Sequence, residues 1–317
     1  MESQNGTPLV TVVCTTYNQE DYIEDALKGF LSQQTSFPFE IIVHDDASTD
    51  STPDIIKAYA REYPSIVKPI FQQVNQYSKG GMIVRDCILP RCRGKYIASC
   101  EGDDYWCDPS KLQKQIDFLE SHPECPACAH NTWLLDCRNG QKRIMSKVKA
   151  TGMIPMDLLL SAGGSYHTSS LVRRRSTYDS QPDFLRGTHG VGDYPLRVFF
   201  ALSGGVHFIN LQMSVYRYRA KGSWSERNHN DRHAAIETHK ALINMLLKAD
   251  RYSDEKYHDL FLDAIKEQEF MNFDLARDYR SMLRNAYRKQ FHSCSKKKQL
   301  RIFLSAMCPA LGNALDR

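Results

Sequence analysis

Gly94-Lys95-Tyr96-Ile97-Ala98-Ser99-Cys100-Glu101-Gly102-Asp103-Asp104 joins a turn, a short strand and an acidic cluster. Tyr96 to Cys100 has the composition of a short buried strand. Glu101, Asp103 and Asp104 follow it directly, and their charges repel one another. A bound cation removes that repulsion, because Mg²⁺ and Mn²⁺ prefer oxygen ligands. Taken by itself, the cluster also reads as an ordinary acidic loop or a helix N-cap.

The residues upstream repeat the pattern. Leu9 to Thr15 is a β-rich run broken by Thr16-Tyr17-Asn18. Between Asp21 and Gln33 the apolar positions fall at Ile23, Ala26, Leu27, Phe30 and Leu31, which is helical spacing. Phe39 to His44 is a second strand, ending in Asp45-Asp46-Ala47-Ser48-Thr49-Asp50. That cluster reads as a loop and helix start. The spacing then predicts a helix over Thr52 to Tyr63, a strand over Val67 to Gln72, and a helix over Met82 to Cys92. A further helix runs from Lys111 to Ser121. Strand and helix alternate with short links, so the expected fold is a layered α/β domain with a mixed, mainly parallel sheet flanked by helices. Ligands bind such sheets at the edge where the strands end, where these acids recur.

Downstream, Ala127 to Leu135 reads as a strand, Met153 to Leu160 as a short helix, and Tyr194 to Ser203 as a helix. Val206 to Leu211 and Val215 to Tyr218 read as two strands. Residues 219–232 read as a polar loop, and helices fill most of the remainder from Arg232. The division expected is a nucleotide-binding domain over residues 1–225 and a helical extension over 226–317.

The bulk composition narrows the class. Of 317 residues, 42% are hydrophobic and 25% charged, as in folded soluble proteins. The net charge of +4, from 41 basic and 37 acidic side chains, gives no argument for nucleic acid as a partner. A chain this long needs no disulfide staples, so its ten cysteines read mostly as unpaired, buried thiols in a reducing, cytoplasmic setting. Cys125, Cys128 and Cys137 have only partial zinc spacing, and buried thiols explain them more simply. The polar start resembles no signal peptide, and no stretch approaches the roughly 20 apolar residues of a membrane span.

Three motifs in this order and spacing resemble the family 2 glycosyltransferases: Val12-Val13-Cys14-Thr15-Thr16-Tyr17-Asn18, Glu40 to Asp50, and Gly94 to Asp104. The resemblance covers roughly residues 8–220. It implies the GT-A fold and sugar transfer from a nucleotide-sugar donor, UDP-linked by preference, with inversion at the anomeric carbon. By the same resemblance Thr15 and Tyr17 contact the base and its surroundings, and Asp46 reads uracil with Asp45 beside it. Asp103 approaches ribose or metal, and Asp104 ligates Mn²⁺ or Mg²⁺. Glu101 stands where the first acid of the metal motif is often Asp, so its contact with ligand stays open. Arg85-Asp86 stands in place of an Arg-Asn pair, and Arg85 is read as meeting either a phosphate or a neighbouring acid. Lys79 is read as a further phosphate contact. His167 matches a position near the diphosphate, and Trp106 either packs beneath the metal loop or walls the sugar site.

A single inverting displacement needs a carboxylate on the acceptor side. Gly192-Asp193-Tyr194 follows a glycine-containing loop, and Asp193 resembles the family's base; an N-cap for the following helix is the plain alternative. The acceptor implied is a glycan or lipid-linked hydroxyl, as in bacterial surface-glycan synthesis. The basic stretch from Arg280 to Arg301 carries Leu283, Tyr287, Phe291 and Leu300. It fits an amphipathic helix at the inner face of a membrane or a helix packed by its apolar side. A non-catalytic nucleotide-sugar binding or scaffold protein on the same fold is the competing reading. A nucleotidyltransferase fits less well, since Thr15-Thr16-Tyr17-Asn18-Gln19 offers no triphosphate loop.

Overall fold

The computed structural model describes residues 6–185, 192–223, 226 and 231–308. The chain divides into two compact units. The first is Met1–Leu159, Gly164–Gln181 and Phe200–Arg227; the second is Leu160–Gly163, Pro182–Phe199 and Asn228–Arg317. Two segments from before residue 225 thus group with the C-terminal helices.

The first unit holds the sheet. Strands β1 (Val10–Thr16), β2 (Phe39–Asp45), β3 (Val67–Phe71) and β4 (Tyr96–Ser99) form its parallel half in the order β3-β2-β1-β4. Helices α1 (Ile23–Leu31) and α2 (Thr52–Glu62) link successive strands. Their packing is set by the pattern: Ile23, Ala26, Leu27 and Phe30 all point into the core with Val10, Val12, Ile41 and Val43. A short strand β5 (Tyr105–Trp106), helix α3 (Lys111–Ser121) and long strand β6 (Ala127–Asp136) follow. Beyond them come β7 (Lys142–Ile144), β8 (Gly152–Met153), helix α4 (Met156–Leu160), β9 (Val172–Arg174), helix α5 (Asp193–Leu202) and β10 (Val206–Tyr218).

The sheet is mixed and mostly parallel, as expected, but it departs from the local reading in three places. Strand β9 runs antiparallel between β4 and β6. The two-residue β5 closes the far edge antiparallel to β10. Strand β10 is one strand rather than two, with register irregularities between Ile209 and Ser214 where it pairs with β6. Such bulges let a single strand continue through polar residues. The helix expected over 82–92 is instead a π-helical turn (Val84–Ile88) followed by a 3₁₀ turn (Leu89–Arg91). Pro90 cannot donate an amide hydrogen bond, so a regular helix does not continue through it.

The second unit is helical. Its long helices are α6 (Arg232–Tyr252) and α7 (His258–Ala276), followed by α8 (Tyr279–Met282), α9 (Arg288–Ser293) and α10 (Lys296–Met307). Phe270, Tyr279, Met282, Ile302 and Ala306 form a small core of their own. No helix among the described residues is long and apolar enough to cross a membrane. All ten cysteines are free; five are buried, while Cys107, Cys137 and Cys308 are exposed.

Candidate active site

Parallel register brings the three sequence motifs to one edge of the first unit. Thr16 lies beside Asp45, and Val13 lies between Ile42 and Ser99. Backbone bonds lace the strand ends together: Cys100 N–H donates to Val13 O, Asp46 N–H to Thr16 O, and Gly102 N–H to Thr15 O, each at 3.0 Å. Gly102 is needed there, since a Cβ would sit 2.9 Å from Thr16 Cβ. Asn18 and Ala47 are held in the left-handed region, with φ of 52° and 64°. Reciprocal bonds impose this: Asn18 N–H donates to Ser48 Oγ and Thr49 N–H to Asn18 Oδ1, both at 2.8 Å. Backbone strain of this kind persists only where surrounding contacts over-determine it.

Glu101, Asp103 and Asp104 converge, with ligand atoms of all three within 4.8 Å of one another. Among the described residues this is the one such group of acids, histidines or cysteines. Asp104 is only 1% exposed. Its Oδ1 accepts from Arg217 N–H at 2.9 Å, and its buried Oδ2 has no hydrogen-bond partner. His167 Nδ1 lies 3.5 Å from that orphaned oxygen. Burial, then the charges of Asp103 and Glu101, push the Asp104 carboxyl well above the usual carboxylate range. A divalent cation answers both the orphaned oxygen and the repulsion. Burial, then Asp103 for Cys14 and Asp104 for Cys100, raises the two thiols, so the available donors are hard oxygens, which suits Mg²⁺ or Mn²⁺.

Two residues that no local pattern singles out complete this arrangement. Arg217, on β10, also donates from Nη1 to Asp103 O at 3.0 Å and pairs with Asp25. It holds the acidic loop from a strand 113 residues away. Tyr216, its neighbour, stacks on the His167 imidazole with ring centres 4.1 Å apart. The His167 Nδ1 accepts from Ser169 N–H at 3.2 Å, which orients the ring.

The remaining expected residues are placed as follows. Asp46 accepts from Gln76 N–H at 2.8 Å on Oδ1 and from Tyr77 N–H at 3.0 Å on Oδ2, so it organises the segment after β3. Asp45 accepts from Ser48 N–H at 3.1 Å on Oδ2, and its buried Oδ1 has no partner. Of the two acids, Asp45 therefore carries the unsatisfied acceptor. Thr15 and Tyr17 are half-buried at the same edge. Arg85 is exposed and pairs with Asp86 at 2.9 Å, and Lys79 is exposed. Trp106 takes the packing position of its two alternatives. It is 2% exposed, meets Phe30 edge-on at 4.7 Å, and donates from Nε1 to Ser169 O at 2.8 Å. Its ring is packed in the core against Phe30. Asp193 is exposed at the start of α5, in the second unit, with Oδ1 accepting from Tyr194 N–H at 2.8 Å. The glycine-containing loop before it lies outside the described residues.

The model of the Glycosyl transferase family 2 matches residues 11–178, which carry all three motifs. The chain belongs to the family 2 glycosyltransferases. Among relatives of this glycosyltransferase is the uncharacterized protein Rv1520 of Mycobacterium tuberculosis, 37% identical over 229 residues. That alignment covers 72% of this chain and 64% of the relative, so the chain spans about 64% of the relative's length. Two solved structures share the fold. Staphylococcus aureus TarS 1–349 in complex with UDP-GlcNAc has a TM-score of 0.62 at 18% identity, covering 94% of this chain and 79% of TarS. The mannosyltransferase PcManGT from Pyrobaculum calidifontis, in complex with GDP-Man and Mn²⁺, has a TM-score of 0.52 at 16% identity, covering 96% and 88%.

Proposed function

We propose that this family 2 chain is a metal-dependent inverting glycosyltransferase. It moves a sugar from a UDP-linked donor to a hydroxyl of a glycan or lipid-linked acceptor on the cytoplasmic side of the membrane. The observation that carries the reading is the buried Asp104 carboxylate, whose Oδ2 lacks a hydrogen-bond partner beside Asp103 and Glu101. Asp104 and Asp103 would hold Mn²⁺ or Mg²⁺, with Glu101 at the exposed side. A bound divalent cation supplies neutralisation of the charge that builds on the departing diphosphate. Asp45 and Asp46, with Thr15 and Tyr17, form the base and ribose side, where Asp45 Oδ1 is an available acceptor. His167 serves the phosphate side. The complexes of TarS with UDP-GlcNAc and of PcManGT with GDP-Man and Mn²⁺ support a nucleoside-diphosphate sugar, and the preference for UDP rests on the likeness of Asp46 to the family's uracil-reading acid.

Asp193 is the base in this reading. The acceptor oxygen bonds to the anomeric carbon, its proton passes to the Asp193 carboxylate, and the bond from the anomeric carbon to the diphosphate breaks. The nucleoside diphosphate leaves with that electron pair. The assignment is supported by the sequence likeness and by the carboxylate's exposure at a helix start. General-base removal costs about 10²–10⁴ in rate. The test is UDP release from a panel of UDP-sugars, offered glycan and prenyl-diphosphate-sugar acceptors. Asp193→Asn should bind UDP as the parent does and transfer at least about 100-fold more slowly. Transfer at the parent rate would remove Asp193 from the mechanism.

A further inference from the structure

We propose that the outward face of helix α10 is a docking surface for an anionic phospholipid membrane. The helix has two chemically distinct sides. Ile302, Ser305 and Ala306 are buried, and Ile302 and Ala306 pack with Phe270, Tyr279 and Met282. On that inner side the cations are neutralised: Lys298 Nζ meets Asp274 Oδ2 at 2.7 Å, and Arg301 Nη2 meets Asp274 Oδ1 at 2.6 Å. At helical spacing, Lys296, Leu300, Phe303, Leu304 and Met307 share the other side. There Leu300 is 59% exposed, Phe303 51% and Met307 72%. Lys296 and Lys297, at the start of that face, are exposed and have no ion-pair partner among the described residues.

The charge around this stripe names the occupant. No acidic residue occurs in the sequence between Asp278 and Asp316; of the cations there Lys289, Lys298 and Arg301 are paired with Asp263 and Asp274, while Lys296 and Lys297 stand exposed beside the stripe. An apolar stripe flanked by cations is the chemistry of a helix lying in a membrane interface, with lysine stems reaching to headgroups.

The test is flotation of the full chain with vesicles of phosphatidylcholine alone or mixed with phosphatidylglycerol. Binding should require the anionic lipid and fall when salt is raised from about 0.1 M to about 1 M. Lys296→Glu/Lys297→Glu should lower vesicle partitioning at least about tenfold. Phe303→Glu/Met307→Glu should do so by a similar factor. Both variants should keep the parent's circular dichroism and its UDP affinity, so this result is separable from the donor reading. Equal binding to both vesicle types, no binding to anionic vesicles, or variants that bind like the parent would overturn the proposal. So would light scattering that shows a dimer which Phe303→Glu/Met307→Glu turns into a monomer.

Discussion

Replacing Asp104 by Asn should make the metal-free protein more stable and the metal-loaded protein less so. In the parent, Asp104 Oδ2 is buried without a hydrogen-bond partner beside two other carboxylates. Asn keeps an Oδ1 to accept from Arg217 N–H and removes the charge. Relieving a buried, unsatisfied group of this kind is worth about 1–3 kcal/mol. In a large domain each kcal/mol moves the melting temperature by about 2–4 °C. Mn²⁺ at about 1,000 times its Kd would stabilise the parent by about 4.1 kcal/mol, and the variant by much less. Scanning calorimetry in EDTA and then in Mn²⁺ should therefore show the two melting temperatures exchange order. The pH dependence has a definite sign. The folded-state pKa of Asp104 is raised by burial and its neighbours. The parent's relative stability is thus fully present below the unfolded carboxylate pKa, and is lost as pH rises through the folded value. The advantage of the variant in EDTA should open over that interval and vanish in acid. A variant less stable than the parent in EDTA at neutral pH, or one stabilised equally by Mn²⁺, would refute the reasoning.

Other sites give independent checks. Lys111 is fully buried, with Nζ 3.9 Å from the Trp106 ring centre and no hydrogen-bond partner, and burial lowers its pKa to about 7. Lys111→Met should raise stability by about 1–4 kcal/mol at pH 6, measured by urea unfolding. Between pH 7 and about 10.4 the unfolded lysine binds more protons than the folded one, so the parent recovers and the gain should shrink; a constant gain across that range would contradict the burial argument. A Cβ on Gly29 would lie 2.6 Å from Trp106 O, pressing α1 off β5. Gly29→Ala should cost about 1–3 kcal/mol in the same assay, and an unchanged unfolding midpoint would show that the two backbones are not so close.

What could be read from the sequence was local. The parallel half of the sheet and its acidic ends follow from short apolar runs punctuated by Asp45-Asp46 and by Glu101 to Asp104, so both element order and ligand edge were accessible. Arg217 was not, because its role is a pairing with Asp103 and Asp104 across the sheet, in a run that looks like any short strand. The antiparallel β5 and β9 are too short to have a periodicity. Trp106 shows the limit of residue type: an aromatic after an acidic motif suits a sugar wall or a core, and only Phe30, Ser169 and Lys111 around it decide for the core. The pair Asp45-Asp46 is similar, since the division of labour depends on the amides of Gln76 and Tyr77 reaching Asp46.

Calorimetric titration of UDP, GDP and dTDP into the purified chain, with Mn²⁺ and with EDTA, tests the central claim most directly. Saturable UDP binding that requires Mn²⁺, is lost in Asp104→Asn and is weaker for GDP and dTDP is the expected result. Binding of none of the three nucleotides under either condition, or UDP binding indifferent to EDTA, would contradict a metal-dependent donor site at Asp103 and Asp104.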